Sequence, residues 1–155
     1  AAVTDYDRSE LGGTSQRELA EALLLRDSLR RLAAHSTGDE RPGAQSPVTD
    51  LDEAVAAVNA ALADSPHTEL ALRDGRLQAT RPRRASAARS ALAQLGQDAV
   101  ELLTGPAAVK LRACNAPGCV LYFVMTHPRR EWCSEGCGNR VRAARHYQRT
   151  RKRNP

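Results

Sequence analysis

The chain has 155 residues and only one Trp, one Phe and three Tyr, so it can build one ordinary domain, or a modest core with a small module attached, from Leu, Val and Ala. No stretch has the form of a targeting peptide and no apolar run approaches bilayer length, which argues against a membrane-spanning helix and makes a soluble protein the expectation. The net charge of +5 is segregated: residues 110–155 hold eleven Lys or Arg against Glu131 and Glu135, which leaves the preceding 109 residues at −4 and points to a polyanion contacted from one end.

In chain order, residues 1–14 are polar, contain Gly12-Gly13 and show no period, so they read as a flexible lead-in. From Ser15 to about His35 the apolar residues recur at helical spacing, with Leu19, Ala22, Leu25, Leu29 and Leu32 on one stripe. Ser15 followed by Glu18 is the signature of a capping box, and Arg26 and Arg30 fall toward water. Residues 36–48 have the composition of a solvent-exposed loop. A second helix opens at Thr49 or Asp50, carries Leu51, Val55, Val58 and Leu62, and is closed by Pro66.

The period then changes to two. Leu70 and Leu72 alternate, Asp74-Gly75 marks a tight turn, and Leu77 and Ala79 alternate again, predicting a hairpin near 69–80 that should lie against the helices, because two strands alone are marginal. Arg81, Arg83 and Arg84 form a small basic run, read either as a solvated segment or as an auxiliary phosphate contact. A third helix over about 85–103 carries Leu92, Leu95, Ala99 and Leu102 and stops at Gly105-Pro106. This body, residues 15–110, displays no nucleophile with a base, no paired acids, no glycine-rich loop and no histidine cluster. An enzyme is therefore not expected and no catalytic residue is assigned; His35 and His67 have no companion ligands.

All four cysteines lie in the basic tail, spaced C-x4-C, thirteen residues, C-x3-C at Cys114, Cys119, Cys133 and Cys137. Two short pairs across a modest loop suit a tetrahedral four-thiolate site for a structural Zn2+, with two disulfides as the competing account. Pro117 and Gly118 let the chain turn between the first two thiolates. Residues 120–124 form the best strand candidate, and a knuckle followed by a hairpin is the expected shape. Phe123 and Trp132 read as a miniature core around the metal, while Tyr122, on the opposite strand face, is open to stacking on a base or sugar.

The second pair sits where a helix begins, with Gly138 and Asn139 at the turn. At 100° per residue, Arg142, Arg145, His146, Arg149 and Arg153 fall within an arc of about 100°, and Val141, Ala144 and Tyr147 lie opposite, toward the knuckle. Asn139 ties the turn. Arg140 stands away from that arc, with two roles open: a hydrogen bond to a cysteine sulfur or loop carbonyl beside the metal, or a phosphate contact.

The run LRACNAPGC…FVMTHPRREWCSEGCGNRVRAARHYQR resembles the CGNR zinc finger, a family marked by the tetrapeptide found here at Cys137-Gly138-Asn139-Arg140, and covers about 111–151. In that family the finger follows a largely helical ABATE domain, of which residues 15–110 look like a short form. The resemblance implies a bacterial, cytoplasmic, stress- or pathway-associated transcription regulator with the four cysteines as metal ligands. It also implies Trp132 as a packing residue and the arginines after Asn139 as the DNA-facing set. Two departures stand out: Val124-Met125 where members often carry an aspartate, and three residues rather than four inside the second cysteine pair.

The combined expectation is a mainly α protein with a small β-hairpin: a helical domain over 15–110, then a zinc-stabilised knuckle-hairpin-helix module over 111–155. Its expected partner is double-stranded DNA, with a homodimer or companion regulator supplying further affinity, a small-molecule effector of unknown identity and no membrane. RNA binding, or docking of the zinc module on an acidic protein, are the alternatives.

Overall fold

The computed structural model describes residues 15–82 and 85–153, the side chains of 151–153 excepted. The lead-in over 1–14 and the Arg83-Arg84 part of the basic run lie outside the described residues.

Helix α1 spans Gln16–Thr37, and Ser15 caps it: the Ser15 hydroxyl accepts from the Glu18 amide, and the Glu18 carboxylate accepts from the Ser15 amide. It ends at Gly38, whose φ of 62° puts the chain in the left-handed region and lets the Gly38 and Asp39 amides bond back to His35 and Ala34. Helix α2, Leu51–Leu62, is capped by Asp50 and ends four residues before Pro66, so the proline does not close it. Helix α3, Ala87–Thr104, is capped by Ser86 and stops at Gly105.

The three helices pack on one another through part of each expected stripe: Leu25 and Val58 are buried, and Leu29, Leu32, Leu51, Leu62, Leu92 and Leu102 are half-buried. Leu19 and Leu95 are more than half exposed and Val55 nearly so, whereas Leu25, Ala34, Ala54, Val58 and Ala93 are buried. Small residues hold several of the buried positions: Ala34, Ala54, Ala93 and Gly96. Gly96 leaves its α3 backbone close enough to α2 that a Cβ there would touch the Leu62 side chain at 3.4 Å. Ala93 and Gly96 are the buried residues of α3, and Leu95 between them faces solvent. Arg89 of α3 fastens the trio, donating to Glu21 of α1 at 3.0 Å and lying 3.7 Å from Asp64, just past α2.

Residues 38–50 are not simply a solvent-exposed loop. A 3-10 turn at Pro42–Ala44 brings Ala44, and then Val48, into the core. The connection is held to α1 from three points: Arg30 donates to the Gly43 carbonyl, Arg31 to the Thr49 carbonyl at 2.7 Å, and Ser46 to the Asp27 carbonyl.

The predicted hairpin is present, with strands β1, Glu69–Arg73, and β2, Arg76–Thr80, in antiparallel register. Asp74 and Gly75 have φ of 53° and 70°, the two positive values that a tight two-residue turn matching strand twist requires. It does not lie against the helices as expected. Leu70, Leu72 and Leu77 share one face and are 74, 69 and 69% exposed, so this hairpin stands off the helical body.

The second sheet corrects the order of knuckle and hairpin. Strand β3, Leu111–Ala113, pairs antiparallel with β4, Tyr122–Val124, so the first cysteine pair forms the tip of this hairpin instead of preceding it. Strand β3 packs against α1, which seats the cysteine-rich end on the helical body. Helix α4 runs Glu135–Arg153 and carries the basic residues.

Two substitutions separate the packing terms. The Ser28 hydroxyl is fully buried and has no hydrogen-bond partner among the described residues, so Ser28→Ala should leave stability unchanged or raise it by about 1 kcal/mol. A Cβ at Gly105 would overlap the Glu101 carbonyl oxygen, which is backbone and cannot swing aside, so Gly105→Ala should cost about 1–3 kcal/mol. Urea unfolding of the two variants beside the parent chain measures both.

Candidate metal centre and basic helix

The metal centre is assembled from the β3–β4 tip and the start of α4. Between the first two cysteines, Gly118 at φ 70° turns the chain, and the Cys119 amide bonds to the Ala116 carbonyl at 2.9 Å. The Cys114 amide bonds to the Leu121 carbonyl at the same distance and closes the knuckle onto the strand ladder. At the other side, the Ser134 hydroxyl accepts from the Cys137 amide at 3.3 Å and caps α4. Helix α4 begins at Glu135, so Cys137 lies in its first turn, as a helix starting at the second pair requires, whereas Gly138 and Asn139 are helical, not turn, residues.

The four sulfurs all lie within 4.8 Å of one another. Cys119 Sγ is 3.7 Å and Cys137 Sγ 3.4 Å from Cys133 Sγ. Thiolates at about 2.3 Å from a tetrahedral ion stand about 3.8 Å apart, so the donor set has the size and chemistry of a closed four-cysteine zinc centre with no open position. All four cysteines are free, and Cys114, Cys119 and Cys137 are buried. Zinc is the structural metal of this module, and the two-disulfide account falls.

Polar neighbours suit the negative charge of four thiolates around one dication. The Cys133 amide points at Cys114 Sγ at 3.4 Å. Arg140 Nη2 is 2.9 Å from Cys137 Sγ, which places Arg140 beside the metal. The Cys137 thiol is drawn down to about 6 by the Ser134 hydroxyl first, then by Cys133 and Arg140. Burial, reinforced by the other thiols, pushes the neighbouring Cys133 up to about 12.

Each residue of the Cys-Gly-Asn-Arg run has a distinct task. Cys137 contributes a sulfur. A Cβ at Gly138 would sit 3.0 Å from the Trp132 ring and 3.3 Å from the Arg142 guanidinium, so glycine leaves room for both. The Asn139 side-chain carbonyl accepts from Arg142, which replaces the expected turn-tying role with a helix-surface one. Arg140 reaches back to the sulfur.

Phe123 and Val141 are buried around the centre, and Met125 and Trp132 pack against them. Tyr122 is not an open stacking surface: it is half-buried and its hydroxyl donates to Asp39 Oδ2 at 3.0 Å. Arg130, which no motif singled out, lies 5.2 Å over the Phe123 ring and donates to the Cys133 carbonyl at 2.9 Å. Sequence reasoning misses Arg41 altogether, because an arginine before a proline in a polar loop carries no spacing signal. Its Nη1 reaches the Cys114 and Cys119 carbonyls at 2.6 and 3.2 Å.

Beyond the core, α4 projects. Val141 is buried and Ala144 half-buried, but every residue from Arg145 to Thr150 is exposed, including Tyr147, expected against the knuckle and found 67% exposed. Arg142, Arg145, His146 and Arg149 are all exposed. Arg153 belongs to α4, with its side chain outside the described atoms. Among the described residues no helix is long and apolar enough to cross a membrane.

Two family models match the chain. One, ABATE, described as "putative stress-induced transcription regulator", covers residues 2–106, and the other, the CGNR zinc finger, covers residues 110–150. No curated protein matches it.

Cys133→Ser removes the sulfur that stands close to two others. Protein purified without added metal should hold one zinc per chain in a four-sulfur shell, and the variant far less than one. Elemental analysis together with X-ray absorption at the zinc edge checks both expectations.

Proposed function

Because the chain belongs to the ABATE family of transcription regulators and ends in a CGNR zinc finger, we propose that it binds double-stranded DNA through the exposed arginines of α4. The observation that carries this reading is the projection of α4: zinc and the small core hold its first two turns, and the turns beyond them present Arg145, His146 and Arg149 exposed, uncovered among the described residues. The metal fixes where the helix starts, so the direction in which the arginines extend is set before any partner arrives.

A phosphate backbone gains from each neutralised contact through counterion release, and an arginine in the major groove can also hold a guanine edge by two parallel bonds. One such helix covers little of a duplex. The helical body over 15–110 accordingly supplies a second copy, a companion regulator or an effector-dependent contact that raises affinity to a useful level. The setting is the bacterial cytoplasm.

Replacing Arg145 and Arg149 together by Ala should weaken duplex binding and reduce the slope of log K against log salt by about 1.8, two phosphate contacts at about 0.9 each. Fluorescence anisotropy over a salt series reads both quantities, with structured RNA as competitor at matched salt. An unchanged slope, or RNA displacing the duplex at equal concentration, would remove the DNA assignment.

A further inference from the structure

We infer that Arg41 and Asp39 of the helical body are positioning residues of the zinc centre: they hold the first cysteine knuckle in its ligating shape from more than 70 positions away in sequence. The inference goes beyond the proposed DNA contact and does not depend on it.

The chain is prepared for this before the knuckle is reached. Gly38 turns the end of α1, the Asp39 amide is fixed on the Ala34 carbonyl, and Arg30 holds the Gly43 carbonyl, so the segment carrying Asp39 and Arg41 is tied at both ends. Asp39, its side chain 3% exposed, takes the Arg41 guanidinium in a two-point grip: Nε donates to Oδ1 and Nη2 to Oδ2, both at 2.7 Å. Tyr122 adds its hydroxyl to Oδ2.

That grip consumes one edge of the guanidinium and leaves Nη1 aimed at the knuckle, where it donates to the carbonyls of both ligating residues. The carbonyl directions of Cys114 and Cys119 fix the peptide planes on which their Cα–Cβ bonds stand. One nitrogen bridging the two oxygens therefore sets the spacing of the two thiolates. It also places a fixed cation beside them, where four thiolates and one dication leave negative charge. A planar fork with a third reaching donor is needed; a point charge cannot hold the carboxylate at two points and still span both carbonyls.

The test uses the full chain, stripped of metal and titrated with Zn2+ against a chromophoric chelator. Arg41→Met should raise the zinc dissociation constant on the order of 10–100-fold, Arg41→Lys by less, and Asp39→Asn, which leaves the arginine in place but unheld, by roughly 10-fold. With Co2+ in place of zinc, the sulfur-to-metal charge-transfer band of Arg41→Met should shift or weaken. A merely supportive residue would lower the melting temperature of the metal-free protein and leave that band and the affinity alone. Zinc affinity within about twofold of the parent in Arg41→Met overturns the proposal. Should that variant fail to fold, Asp39→Asn decides on the same criterion.

Discussion

Four sulfurs drawn to one cation are the constraint on which the cysteine-rich end depends. The side chains buried there, Phe123, Val141 and Ala116 beside the cysteines themselves, are too few to hold a three-residue strand pair and the root of a nineteen-residue helix by hydrophobic burial alone. The metal joins the β-hairpin tip to the first turn of α4, two pieces with no shared ladder or helix face. Once they are joined, Phe123 and Val141 are brought together and Trp132 has a place to pack. In this module the hydrophobic contacts are few and surround the sulfurs, whereas the helical body packs without a metal-binding cluster among its described residues.

The arginines of the tail divide into two classes, and the division is geometric. Arg130 and Arg140 are turned inward, onto a carbonyl and a ring and onto a sulfur. Arg112 is occupied by the Val109 and Leu111 carbonyls. Arg142 is exposed but shares its guanidinium with Asn139, while Arg145 and Arg149 stand on helix that has left the core. A charge total for the tail merges those that stabilise the fold with those available to a partner.

Much of this was legible in the sequence, for a physical reason in each case. Cysteine spacing reports ligation because four thiolates within a short stretch have few other uses, and Ser15 with Glu18, Asp50, and Asp74-Gly75 report caps and a turn because their chemistry is local. What was not legible is tertiary. Nothing in the alternation of Leu70, Leu72 and Leu77 says whether another element will cover that face, and the helices do not. Nor does a leucine period reveal that Leu19 and Leu95 are left exposed while Ala54, Ala93 and Gly96 go inside. Strand alternation puts Tyr122 on the face opposite Phe123, but its partner Asp39 comes from another part of the chain. Arg41 had no local signal at all.

The inward turn of Arg130 and Arg140 also bears on what the proposed nucleic-acid contact can achieve. Counterion release scales with phosphates reached, and a guanidinium fixed on a carbonyl or sulfur reaches none. The contacts left to a phosphate are those of the exposed side chains, among which Arg142 bonds to Asn139 and Arg149 to the Arg145 carbonyl, while Lys110, Arg129 and Arg145 also face solvent. The same arginines that are lost to phosphate tie the start of α4 to the metal centre. In the proposed duplex contact, Arg130 and Arg140 therefore act on where the basic helix points and not on how many phosphates it reaches.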